Sequence, residues 1–105
     1  MNHAYRVVLT TTNSRENVDA IVDSVLAKRL AACVQVLPIE SRYVWEGRVK
    51  HDREFLLLLK AKAADYPDLE AAILAVHGYE TPEVVSLAVE DGSRAYLDWI
   101  EAVTR

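Results

Sequence analysis

The stretch Ala32–Ala61, ACVQVLPIESRYVWEGRVKHDREFLLLLKA, decides the fold. From Ala32 to Trp45 it has strand-like composition, interrupted at Pro38, which cannot donate a ladder hydrogen bond and so implies a bulge or an edge, with a bend in the strand. Trp45-Glu46-Gly47-Arg48 contains the only nearby glycine and reads as a turn. Val49 to Ala61 then reads as the returning strand, ending in the strand-sized apolar run Phe55–Leu59. Together the two halves make a long hairpin. A strand of about 13 residues at roughly 3.3 Å each spans about 43 Å, whereas a compact domain of this length is only about 33 Å across. The hairpin should therefore overhang its own domain. An overhanging apolar ribbon with Val44 and Trp45 near its tip invites aggregation unless another subunit covers it, so a homo-oligomer is expected.

On the amino-terminal side, the alternation in Tyr5–Thr11 predicts a first strand. Asn13, with Glu16 three residues on, resembles a variant helix cap. Val18, Ile21, Val22, Val25, Leu26 and Leu30 then recur at spacings of three and four, one face of a helix. On the carboxy-terminal side, Asp65-Tyr66-Pro67-Asp68 opens a second helix with Pro67 in its first turn, and Gly78 is placed to stop it. Val84–Val89 reads as a last strand. A terminal helix follows the Asp91-Gly92 turn and carries Tyr96, Leu97, Trp99, Ile100 and Val103. The order is βαββαβ with one added helix, which is an α+β, ferredoxin-like arrangement with a long central hairpin.

The totals bound the function. With 105 residues the chain fits one domain, 1–105, around one core. Hydrophobic residues at 51% and charged residues at 27% place it among folded globular chains. A net charge of −4, with no dense cluster of Lys and Arg, argues against a nucleic-acid partner. Cys33 is the only cysteine, so no disulfide or CxxC pair forms within a chain, and a cytoplasmic location is expected. No signal segment and no membrane span is read.

Several blocks resemble the CutA divalent-cation-tolerance family: Lys28-Arg29-Leu30-Ala31-Ala32-Cys33-Val34, Ser41-Arg42-Tyr43-Val44-Trp45-Glu46-Gly47, Glu54 and Lys60. His77-Gly78-Tyr79-Glu80-Thr81-Pro82-Glu83 is similar to the family's His-Pro-Tyr-Glu-x-Pro-Glu element, and Tyr96-Leu97-Asp98-Trp99-Ile100 to its closing signature. The blocks keep their order over nearly the whole chain. The resemblance implies a ferredoxin-like subunit, a tight homotrimer with pairing across subunits, and an association with tolerance to copper and other divalent metals. It also implies a shape like that of the PII-type signalling trimers. Three positions depart from the pattern. Gly78 stands where a proline is usual, and Thr10 and Val76 stand where some relatives carry a cysteine and a second histidine.

His77 is the first candidate metal ligand, because neutral imidazole suits copper and zinc, and Glu80, Glu83 or Tyr79 could assist. The plainer role for a histidine at a helix end is to cap carbonyls or fill an interface. Cys33 reads as a small packed thiol, or, exposed at a cleft between subunits, as a ligand for a soft cation such as Cu(I). His3 and His51 read as surface residues. Copper or another divalent cation is thus the expected ligand, and no organic cofactor is implied. By the resemblance Tyr43, Trp45, Glu46, Lys60, Tyr79 and Glu80 gather where subunits meet. They would form either an interface of aromatic anchors and ion pairs or a cleft for a small anionic or metal-bearing ligand, with Lys60 supplying charge. Asn13, Arg15 and Asn17 are superficially similar to the arginine and asparagine of ferredoxin-like acyl-phosphate hydrolases. Thr10-Thr11-Thr12-Asn13 lacks a glycine-rich phosphate cradle, however, so no enzyme is expected. Two classes follow: a metal-binding or metal-responsive trimer, and a trimeric signalling or scaffold module.

Overall fold

The computed structural model describes residues 3–105. Its elements run β1 (Tyr5–Thr12), α1 (Arg15–Ala27), β2 (Cys33–Trp45), β3 (Arg48–Lys62), α2 (Tyr66–Val76), β4 (Val84–Ala88) and α3 (Arg94–Val103), with a 3-10 turn at Ala63–Asp65 before α2. All pairings are antiparallel in one sheet ordered β2-β3-β1-β4, the ferredoxin-like order with the amino-terminal strand in the interior.

The hairpin closes as the sequence predicts. Glu46 and Gly47 both take positive φ, 51° and 76°, the two-residue turn whose twist matches that of paired strands. Pro38 produces no bulge: the register runs unbroken from Cys33↔Lys60 through Pro38↔Phe55 to Trp45↔Arg48. Of the two readings of Pro38 the edge is the one realised, since β2 ends the sheet and a missing donor is tolerated there. The molecule measures 43 × 28 × 22 Å with a radius of gyration of 14.3 Å. A compact chain of this length would have about 13 Å. The excess is the hairpin, in which every residue from Arg42 to Arg53 is exposed, Val44 by 73% and Val49 by 75%.

Because side chains alternate along a strand, one sheet face carries Val8, Leu57, Leu59 and Ala61, all fully buried under α1 and α2. Val18, Ile21 and Val25 of α1 and Leu69, Ala72 and Ile73 of α2 supply the helical side of this core. Fully burying a side chain such as Ile21 or Leu59 contributes about 1.5–3 kcal/mol. The other face bears Leu9, Leu58 and Leu37 from the complementary positions, and α3 reaches only its Lys60–Lys62 end. Leu37, Val85 and Leu87 stay about half exposed there, Leu87 by 52%.

Two helix boundaries differ from expectation. Ser14, not Asn13, caps α1, its Oγ accepting from the Asn17 backbone N–H at 3.2 Å. Gly78 does not end α2 through a left-handed turn, because its φ is not positive; the helix stops at Val76 when His77 turns extended (φ −69°, ψ 137°). The left-handed position falls instead on Arg29 after α1, at φ 57°, where the Leu30 N–H donates to the Val25 carbonyl at 3.0 Å.

Candidate functional site

The extended turn at His77 sends the chain 77–83 past the end of β1 toward the hairpin, and two side chains hold it there. Asn17, on the first turn of α1, accepts from Thr12 Oγ1 (2.8 Å) and from the Gly78 N–H (3.1 Å), and donates through Nδ2 to the Val76 carbonyl (2.8 Å). The Nδ1 of His77 accepts from the Tyr79 N–H at 3.0 Å, which leaves Nε2 to donate to the Thr11 carbonyl at 2.9 Å. Both ring nitrogens are therefore engaged and the ring is neutral. Burial depresses the His77 pKa, and the Thr11 hydrogen bond and the charge of Glu54 only partly oppose it.

Held in this way, the loop places the Tyr79 hydroxyl 2.6 Å from a carboxylate oxygen of Glu54, a β3 residue only 8% exposed. Burial, then the hydrogen bond to Glu54 and its charge, push the Tyr79 pKa far above the ordinary phenol value. A second pair repeats the arrangement farther out, where the Tyr43 hydroxyl donates to Asp52 and its pKa is raised chiefly by that bond. Between hairpin and loop lies an open cleft of about 920 Å³ bordered by Tyr43, Trp45, Tyr79, Glu80 and Glu83. Four of the six residues expected to gather, Tyr43, Trp45, Tyr79 and Glu80, are thus brought together within one chain, and Glu83 joins them.

The others lie elsewhere. Glu46 is at the exposed hairpin tip in the turn itself and does not border the cleft. Lys60 is six residues along β3 from Glu54, about 20 Å away. There its ammonium donates to Gln35 Oε1 (3.0 Å) and Tyr96 OH (3.4 Å) and lies 5.5 Å from the Tyr96 ring centre. It therefore supplies no charge to the cleft of its own chain. Cys33 is directly opposite Lys60, half-buried and with a free thiol, at that same far end. His77, Cys33 and Glu80 do not converge, and no group of three His, Cys, Asp or Glu side chains positioned for a metal exists among the described residues. His51 is exposed and pairs with Glu40 at 3.0 Å, whereas His3 is half-buried rather than on the surface.

Two residues of the site escape a reading of the sequence. Asp52 carries a usable signal: once the turn is fixed at Glu46-Gly47, pairing places Ser41 opposite Asp52 and Tyr43 opposite Lys50. Asn17 has no local signal as a clamp, because its partners at Val76 and Gly78 are distant in sequence.

A ferredoxin-like sheet from which a paired ribbon projects, with the cleft running alongside that ribbon, defines a class of small α+β proteins. Comparison with known proteins places the chain within it. Residues 6–103 match the family described as CutA1 divalent ion tolerance protein. The Thermus thermophilus divalent-cation tolerance protein CutA is 41% identical over 99 residues, covering 93% of this chain and 96% of that protein. The Arabidopsis thaliana chloroplastic CutA is 40% identical over 94% of this chain, which spans only 55% of that longer relative. Among solved structures, the Thermus thermophilus Cut A1 protein superposes with a TM-score of 0.92 at 40% identity, covering 96% of this chain and 99% of that one. The periplasmic CutA of Archaeoglobus fulgidus gives 0.91 at 31% identity, covering 94% and 97%. The chain belongs to the CutA1 divalent ion tolerance family. These descriptions name tolerance to divalent cations and not a reaction. No helix among the described residues is long and apolar enough to cross a membrane.

Proposed function

We propose that this chain, folded as one domain, serves divalent-cation tolerance as a cytoplasmic homotrimer that binds copper or another divalent cation with ligands drawn from more than one subunit. The observation that carries the reading is the cleft, where Glu80 and Glu83 border a solvent-open space and take no ion pair among the described residues. His77 neighbours them in sequence, and its depressed pKa keeps it in the neutral form that metals bind, although Nε2 would first have to leave the Thr11 carbonyl. Assembly is supported by the projecting ribbon, the open β2 edge and the half-exposed Leu37, Val85 and Leu87. The lone free thiol, Cys33, agrees with a reducing compartment.

One observation favours a second reading, a PII-like signalling or scaffold trimer with no metal function: both His77 nitrogens are already used to hold the loop. Calorimetric titration of chelator-stripped protein with Cu(II) and Zn(II) separates the two. Stoichiometric binding weakened by Glu80→Gln and abolished by His77→Ala supports the metal reading. An absence of heat, or heat indifferent to both substitutions, transfers the assignment to the second.

A further inference from the structure

The cleft has a charge imbalance that its own chain does not correct. Glu40, Asp52, Glu54, Glu80 and Glu83 border it, against Arg42 and Lys50. Neither base forms an ion pair among the described residues, and none of the five carboxylates is paired with a Lys or Arg there, Glu40 alone contacting a histidine ring, that of His51. Its walls are also aromatic. Tyr43, Trp45 and Tyr79 line the same space, and the hydroxyls of both tyrosines are turned to Asp52 and Glu54. Ring faces attract cations electrostatically, and they also pack against methylene groups.

Three properties define the cation that fits. A bare copper or zinc ion needs donors at about 2.0–2.3 Å, and no three candidate ligands of the described residues converge in that way. The volume of about 920 Å³ is instead of the size that holds a small organic molecule. Asp52 and Glu54 stand two residues apart on β3, about 7 Å, close to the separation of ammonium groups joined by three or four methylenes. We infer that the cleft is a binding site for a linear aliphatic polyamine, whose ammonium groups meet Asp52, Glu54, Glu80 and Glu83 and whose methylenes lie along Tyr43 and Trp45. The site shares its carboxylates with the metal reading above but requires no metal.

The test is calorimetric titration of chelator-stripped protein with spermidine at fixed ionic strength, with Mg²⁺ as a cation that has no carbon skeleton. All substitutions are at exposed positions, and circular dichroism and sizing confirm that each variant keeps the fold. Glu80→Gln with Glu83→Gln should weaken spermidine about tenfold, each lost charge contact being a factor of a few. Trp45→Leu should weaken it about threefold and leave Mg²⁺ unchanged, because only the organic cation uses the ring. Asp23→Asn, on the exposed face of α1, should have no effect. Spermidine binding that is absent, or indifferent to the cleft substitutions, overturns the inference, and so does Trp45→Leu weakening spermidine and Mg²⁺ equally. Copper or zinc binding without spermidine binding overturns this inference and leaves the metal reading standing; spermidine without metal does the reverse.

Discussion

Replacing Asn17 by alanine should loosen the 77–83 loop at a cost that can be worked bond by bond. The substitution removes three hydrogen bonds, to Thr12 Oγ1, the Val76 carbonyl and the Gly78 N–H. The last two are solvent-exposed, so their groups regain water and each loss costs about 0.5 kcal/mol. Thr12 is only 1% exposed, so its hydroxyl is left buried without its partner, at about 1–1.5 kcal/mol. The sum is about 2 kcal/mol, which in urea unfolding moves the midpoint down by about 1–2 M. Protein concentration must be matched between variants, because in the proposed trimer association would add to apparent stability. Gly78→Pro is the internal control. It deletes only the Gly78 N–H bond, the extended His77 before it suits a following proline, and the stiffer unfolded chain offsets most of the loss. A near-neutral Gly78→Pro beside an Asn17→Ala cost of about 2 kcal/mol locates the clamp in the amide side chain. An Asn17→Ala cost below about 0.5 kcal/mol, or amide exchange at Gly78 and Tyr79 unchanged by it, would refute the reasoning.

Stability should also respond to pH through His77. Its folded pKa is depressed, so the unfolded state takes up the proton first; stability is at its full value above the ordinary histidine pKa of 6.5 and falls as pH drops below it. Urea midpoints between pH 5 and 8 should show this slope, and His77→Gln should flatten it. Gly47→Ala should cost about 1 kcal/mol by thermal unfolding, since its φ of 76° is unfavourable for any side chain even though a Cβ there meets nothing within 4 Å. Leu59→Ala, in the fully buried core, should cost about 2–5 kcal/mol. Val44→Glu at the hairpin tip should leave the circular dichroism spectrum unchanged while light scattering reports a smaller assembly; an unaltered mass would show that the tip takes no part in association.

The elements of the fold are legible in the sequence because each has a local cause. Alternation defines the strands, the three-four spacing defines the helices, and the single glycine at position 47 sets the hairpin turn and hence its register. Sequence and structure part where two local signals compete. Asn13 and Ser14 are both good caps, and only the geometry of the incoming chain selects Ser14. Gly78 resembles a helix stop but acts as a hydrogen-bond donor to Asn17. The site is legible in part for the same reason. Tyr43, Trp45, Tyr79, Glu80 and Glu83 fall in two short blocks, one on the projecting hairpin and one in the loop, that the fold brings to the same cleft. Lys60 and Cys33 have no such local tie to the cleft, and a straight strand carries them to the opposite end of the sheet.

The sheet order has a consequence for how the protein comes to be folded. β1 lies between β3 and β4, so the first strand synthesised pairs on both sides with strands made later, Arg6 with Ala61 and with Ala88. The hairpin can zip from its turn as soon as it emerges, because its contacts are close in sequence. β1 has no such local partner. It must stay unpaired until residues 55–62 are made, and one of its edges stays open until residues 84–88 arrive. Docking of β1 into that slot, rather than growth of the long ribbon, should therefore set the folding rate, and mutations that destabilise β1 pairing should slow refolding more than equally destabilising ones at the hairpin tip.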